Sequence, residues 1–159
     1  MFMRYTVFAL CMFISTLLMA QDFEKERVKF DPARKPADDL KTAVVQAKEN
    51  HKKIILDIGG EWCPWCHRID EFILSHKELK EFIDKNFIVV KVNYSKENKN
   101  EEFLANYPKV PGFPHIFVLD STGKLIHSQD TGKLEKEQSY DADKFMKFLK
   151  KAHLARKPY

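Results

Sequence analysis

The chain has 159 residues, 44% of them hydrophobic and 31% charged, with 5 Gly and 7 Pro. That is the make-up of one globular domain, and it excludes collagen-like, disordered and multi-domain chains. Three cysteines are too few for a disulfide scaffold or a four-cysteine zinc site, and a net charge of +4 without a dense Lys/Arg block gives no footing for nucleic acid.

Residues 1–20, MFMRYTVFALCMFISTLLMA, carry one charge at Arg4 and then run uncharged to Ala20, where the composition turns to Gln21-Asp22-Phe23-Glu24-Lys25. A basic start, an apolar stretch and a small last residue predict a signal peptide cleaved after Ala20, and so export to the periplasm or beyond. The alternative is an uncleaved anchor, for which Tyr5 to Ala20 falls short of the ~20 residues that span a bilayer. Cleavage removes Cys11 and leaves Cys63 and Cys66 as the remaining thiols. A single close cysteine pair in an exported chain speaks of redox or metal chemistry rather than of scaffolding.

Residues 21–37 read as a charged N-terminal extension with Pro32 and Pro36, and Val28–Phe30 as a candidate short strand. The folded domain is predicted over residues 38–159. Leu40, Ala43, Val44 and Ala47 recur at helical spacing, with Asp38 or Asp39 placed to cap the start. Ile54-Ile55-Leu56-Asp57-Ile58 is an apolar run ending at Gly59-Gly60, as a strand buried on both faces would. A helix through Ile69, Phe72 and Ile73 follows, and Ser75 with Glu78 has the spacing of a capping box before Leu79, Phe82 and Ile83.

Phe87-Ile88-Val89-Val90-Lys91-Val92 is strand-like, Lys96–Asn100 a polar loop, and Glu101–Tyr107 a short helix closed by Pro108. After Val110-Pro111-Gly112-Phe113-Pro114 come a strand at His115–Leu119, a turn at Asp120–Gly123 and a partner strand at Leu125–Ser128. Thr131–Gln138 reads as an exposed polar loop, and Asp141 caps a last helix that carries Phe145, Phe148, Leu149 and Ala152 on one face. Strands separated by helices imply a parallel core, and the late hairpin adds an antiparallel pair. The expected architecture is a mixed α/β sheet with helices on both faces.

Cys63-Pro64-Trp65-Cys66 lies between the first strand and a helix start. Pro64 suits the first helical turn, which puts Cys63 at the helix N-terminus, where free N–H groups and the dipole favour a thiolate. Cys66 is one turn on and is expected to be the more buried. Cys63 is thus the candidate nucleophile and Cys66 the resolving thiol. The competing readings are inert core cysteines, or half of a metal site completed by His67 and His115. Asp57 is a carboxylate in an apolar strand; left unpaired there it would hold a raised pKa and suit the role of proton acceptor for Cys66. Glu61 reads as a solvated loop carboxylate, and His67, if charged, would favour the Cys63 thiolate.

Asp57-Ile58-Gly59-Gly60-Glu61-Trp62-Cys63-Pro64-Trp65-Cys66 resembles the active-site strand and loop of the thioredoxin superfamily, with an acid six residues before the first cysteine and a Trp directly before it. Val110-Pro111-Gly112-Phe113-Pro114 resembles that family's V-x-G-x-P segment. Together the two motifs cover roughly residues 38–155. The variety most similar is that of exported thioredoxin-like proteins, including the C-terminal domain of the membrane thiol reductase DsbD.

The resemblance implies a thioredoxin fold, a cis peptide before Pro114, and a Phe113 backbone free to pair with an extended substrate. It implies thiol–disulfide exchange on protein substrates with no cofactor beyond the cysteine couple, and a DsbD-like membrane reductase as electron donor. Trp62 and Trp65 would form an apolar rim for the substrate; Trp62 serves equally well as packing, while Trp65, in the variable dipeptide, is expected to be exposed. Pro64 and His67 are the residues placed to tune the couple. The reducing or isomerising direction is favoured, because the resemblance makes a DsbD-like membrane reductase the expected donor; the Pro-Trp between the cysteines differs both from the Gly-Pro of cytosolic thioredoxin and from the Pro-His of the oxidant DsbA. The alternatives are an oxidase of the same fold, a Cu(I)- or Zn(II)-handling protein, and a peptide-binding chaperone.

Overall fold

The structure is a computed structural model that describes residues 27–155. The expected signal peptide and the basic tail beyond Ala155 lie outside the described residues. Among the described residues no helix is long and apolar enough to cross a membrane.

Helix α1 spans Pro36–Glu49, β1 Lys53–Gly59, α2 Pro64–Ser75, α3 Lys77–Asn86, β2 Phe87–Asn93, α4 Glu101–Leu104, β3 His115–Leu119 and β4 Leu125–Asp130. A 3-10 turn at Thr131–Leu134, two short strands β5 (Glu135–Lys136) and β6 (Ser139–Tyr140), and helix α5 (Ala142–Leu154) complete the chain. The main sheet runs β2-β1-β3-β4. Strand β1 pairs parallel with β2, from Lys53 opposite Phe87 to Gly59 opposite Asn93, and antiparallel with β3, from Ile54 opposite Leu119 to Ile58 opposite His115. The parallel core is therefore one strand pair, because β3 enters from the opposite end of the sheet.

Side chains alternate across β1. Ile54, Leu56 and Ile58 pack with Ala43 and Ala47 of α1 on one face, joined by Val90, Val92, Phe117 and Leu119. Ile55 packs on the other face with Ile69 and Phe72 of α2, Leu79 and Ile83 of α3, and Phe145, Phe148 and Leu149 of α5. With both faces covered, β1 is apolar from Ile54 onward except at Asp57. At its start, the Lys53 ammonium donates to the Ala152 and Ala155 carbonyls, a cation on the negative end of α5.

Four local expectations are corrected. Val28–Phe30 forms no strand, yet Phe30 is buried, so the extension packs onto the domain. Helix α1 begins two residues early with Pro36 in its first turn, and Asp38 and Asp39 line that turn without capping it. Ser75 does not cap α3; its hydroxyl donates to the Phe72 carbonyl of the preceding helix, and His76 takes the cap position. Residues 131–138 are not an open loop, since Thr131 and Leu134 are buried and β5 pairs with β6. Asp141 caps α5 as expected, accepting from the Asp143 and Lys144 N–H groups.

Candidate redox site

Strand β1 ends at Gly59, and a tight turn in which the Cys63 N–H donates to the Gly60 carbonyl delivers the chain into α2. Cys63 is the N-cap of that helix and Pro64 opens its first turn. A proline ring has no N–H to leave unpaired there, so the helix starts without cost immediately after the cysteine. The Cys63 sulfur accepts the Cys66 N–H at 3.2 Å, a donor aimed where a thiolate would carry its charge. Cys63 and Cys66 are joined as a disulfide with Cα atoms 5.2 Å apart. Both are enclosed, Cys63 at 3% exposure and Cys66 at 1%, so the difference in burial between them is small.

The sulfurs sit in a small apolar cluster with Phe30, against which Trp65 and Phe113 pack. The backbone comes very close from below: a Cβ on Gly59 would lie 2.6 Å from the Cys66 sulfur and 2.9 Å from the Phe30 ring. Gly59 and Asp57 share one face of β1, so Asp57 lies one pleat below the disulfide.

The peptide bond between Phe113 and Pro114 is cis, and Pro114 is fully buried. Phe113 stacks on Tyr94 at 4.7 Å and meets the edge of Trp62 at 5.7 Å. Trp62 is 55% exposed and is fixed by its indole N–H, which donates to the Tyr94 carbonyl at 2.6 Å. An open groove of about 460 Å³ runs on from it past Tyr94, Ser95, Lys96, Glu97 and Lys99. Trp65 reverses the expectation. It is half-buried, its ring meeting Tyr140 at 5.6 Å with the Arg68 guanidinium 4.6 Å from its centroid. The rim that faces solvent is therefore Trp62, not Trp65.

Asp57 is not an unpaired carboxylate. Lys91, opposite it in β2, donates to Asp57 Oδ2 at 2.7 Å and to Asp70 Oδ1 of α2 at 2.5 Å. Asp57 Oδ1 is buried and has no hydrogen-bond partner among the described residues. Arg27 then joins Asp70 at 3.4 Å to Glu61, on which it closes with two bonds of 3.0 and 2.5 Å. Burial pushes the Asp70 carboxyl above its usual range, and the neighbouring Asp57 adds to this against the pull of Lys91 and Arg27. For Lys91, burial favours the neutral amine, but Asp57 and Asp70 outweigh it and hold the ammonium above its ordinary value.

Glu61 is an exposed loop carboxylate, as expected, but it is paired as well as solvated. Burial would raise its pKa, but bonds from Arg27 and from the Phe30 N–H, at 2.8 Å, hold it below the usual value. His67 lies 2.8 Å through Nε2 from the Glu61 carbonyl, so it braces the loop before Cys63. His115 is buried on β3 with Nε2 2.8 Å from the Ser128 hydroxyl and its ring against Phe117. Among the described residues no group of three or more His, Cys, Asp or Glu side chains is placed to hold a metal ion.

The structure brings Cys63, Cys66, Trp62, Phe113 and Pro114 together with Asp57 beneath them, and adds Lys91, Asp70, Arg27 and Phe30, which sequence reasoning did not single out for the site. One clue to Lys91 was present. It interrupts the apolar run of β2 as Asp57 interrupts β1, and opposite charges in neighbouring buried strands are expected to pair.

Residues 40–150 match the family described as the thioredoxin-like domain. The chain is similar to the disulfide bond reductase DsbH of Chlamydia pneumoniae, 35% identical over 93 residues, which is 53% of this chain and 55% of that protein. It is also similar to the thiol:disulfide interchange protein DsbD of Cronobacter sakazakii, 27% identical over 89 residues, 56% of this chain and 15% of that one. The alignment thus spans about half the length of the chlamydial relative and a small part of the interchange protein. Among solved structures, the disulphide isomerase from Xylella fastidiosa superposes with a TM-score of 0.67 at 25% identity, over 79% of this chain and 97% of that one. The oxidised C-terminal domain of DsbD from Neisseria meningitidis shares the fold, with a TM-score of 0.57 at 19% identity over 79% and 99% of the two chains.

Proposed function

The chain belongs to the thioredoxin-like family, and on that footing we propose that it is an exported thiol–disulfide oxidoreductase that reduces or isomerises protein disulfides through Cys63 and Cys66. The observation that carries this reading is the placement of the pair. Cys63 caps α2 with the Cys66 N–H on its sulfur, so the reduced form has a ready stabiliser for the Cys63 thiolate.

The Cys63 thiolate attacks one sulfur of a substrate disulfide. The substrate S–S bond breaks, one substrate sulfur leaves and takes up a proton, and a mixed disulfide with Cys63 forms. Cys66 then loses its proton to the buried Asp57 carboxylate, whose Oδ1 has an open lone pair. The Cys66 sulfur attacks Cys63, the second substrate sulfur leaves, and two electrons have passed from the couple to the substrate. Trp62 and Phe113 supply the apolar ledge on which the substrate segment rests, with the Phe113 main chain available for strand pairing. Pro64 and His67 set the geometry of the loop that presents Cys63. The couple carries the electrons itself and calls for no cofactor.

The reducing direction is supported by the name of the chlamydial relative and the isomerising one by that of the Xylella structure. Likeness to DsbD supports a periplasmic location and a DsbD-like membrane reductase as the source of electrons. The Cys66→Ala variant is expected to accumulate mixed disulfides through Cys63 in cells, and Cys63→Ser to accumulate none. Equilibration against glutathione is expected to give a potential nearer to about −270 mV than to about −120 mV. A value at the upper end would make the protein an oxidase, and no trapped substrate would overturn the reading.

A further inference from the structure

Resting on the oxidoreductase reading, we propose that Phe30, clasped by Glu61 and Arg27, is a positioning residue of the redox centre: its ring closes the inner side of the cysteine pair and keeps water from the space between Cys66 and the Asp57–Lys91 pair. Three independent contacts place it there. The ring is 2% exposed and clusters with Cys63 and Cys66. It meets the face of Gly59 beside the Cys66 sulfur. The Lys91 ammonium lies 4.4 Å from its centroid, a cation over an aromatic face.

The clasp accounts for how an irregular segment holds so fixed a position. Residues 28–31 have no helix or strand of their own. The Phe30 N–H instead donates to Glu61, and the same carboxylate accepts both Arg27 amino groups. Glu61 is two residues before Cys63, so the strap is tied to the loop that carries the nucleophile. The charged groups around Cys66 are Asp57 on β1, Lys91 on β2, Asp70 on α2, and Glu61, Arg27 and His67 at the loop and strap. The strap decides how dry their surroundings are. An apolar seal keeps the Cys66 proton in place until the mixed disulfide has formed, because a buried thiol ionises less readily than a wet one.

The test is the pH dependence of Cys66 alkylation by iodoacetamide in the reduced full chain carrying Cys63→Ala, read at the Cys66 peptide by mass spectrometry. Adding Phe30→Ala is expected to move the midpoint down by about one pH unit, about tenfold faster labelling at pH 7. Phe30→Leu, which restores an apolar plug, is expected to keep the midpoint of the parent. A purely structural Phe30 would lower the melting temperature and leave the midpoint alone, and an unmoved midpoint in Phe30→Ala overturns the proposal. Should Phe30→Ala not fold, Arg27→Gln loosens the clasp while keeping the apolar contacts, and its lost positive charge acts by itself in the upward direction. A midpoint moved the same way then supports the proposal, and an unmoved one overturns it. No substrate enters this measurement, so its failure is distinct from a failure of Cys66→Ala to trap substrates.

Discussion

At the scale of single residues, the site depends on one missing side chain and one shared charge. Gly59 is the floor under the Cys66 sulfur, and Gly59→Ala would drive a methyl into a space already filled by that sulfur and the Phe30 ring. The substitution is expected to cost about 1–3 kcal/mol in urea unfolding, because an overfilled core must displace its neighbours. Lys91 is the one ammonium between two buried carboxylates. Lys91→Met leaves Asp57 without its ion-pair partner and Asp70 with the Arg27 guanidinium alone, and is expected to cost about 3–5 kcal/mol at pH 8. The sign with pH follows from the charges. The Asp70 carboxyl, held above its usual range by burial, favours folding at low pH, and that contribution is lost as pH rises through the raised value. The variant's deficit should therefore shrink at pH 5, which paired urea titrations would show. Asp57 stood out in the sequence because a carboxylate interrupts an apolar strand, but its partners come from β2 and α2, and only the register of β1 with β2 brings them together.

At the scale of elements, local chemistry was legible wherever an element's ends are decided by neighbouring residues. Cys63-Pro64 opened α2 and Asp141 opened α5 as their residue types dictate. Asp141→Ala removes the acceptor for two N–H groups of α5, and thermal melting is expected to fall by about 2–4 °C. Ser75 and Glu78 had the right spacing for a cap, yet the Ser75 hydroxyl is already used by the Phe72 carbonyl at the end of its own helix. Residues 131–138 looked like an exposed loop because the apolar positions that matter there and just beyond, Leu134 and Tyr140, follow no helical or strand period. They are buried by α2 and α5 rather than by a repeat of their own. The strap at 27–30 failed to register for the same reason, since Phe30 is held by a carboxylate that lies 31 residues further along the chain.

At the scale of the whole molecule, the fold class was written in the alternation of strands and helices together with the two motifs. What periodicity could not supply was the direction in which β3 enters the sheet. Acid stability is also a property of this assembly. His115 is buried between β4 and the core, and burial, offset in part by Asp130, lowers its pKa below the usual histidine value. A group that binds its proton more weakly when folded favours unfolding as pH falls below the ordinary histidine range. Thermal melts from pH 7.5 to 5.5 are expected to drop, and to drop less in His115→Gln. The cross-link itself spans a sequence separation of 3. So short a ring restricts the unfolded chain by only about 2 kcal/mol, against about 4.7 for a ring of a hundred residues. Dithiothreitol should lower the melt by about 5–10 °C and leave the far-ultraviolet circular dichroism unchanged. Under the proposed exchange reading the architecture is that of a rechargeable cell, in which emptying and refilling the store loosens the walls by a few degrees and leaves their shape unchanged.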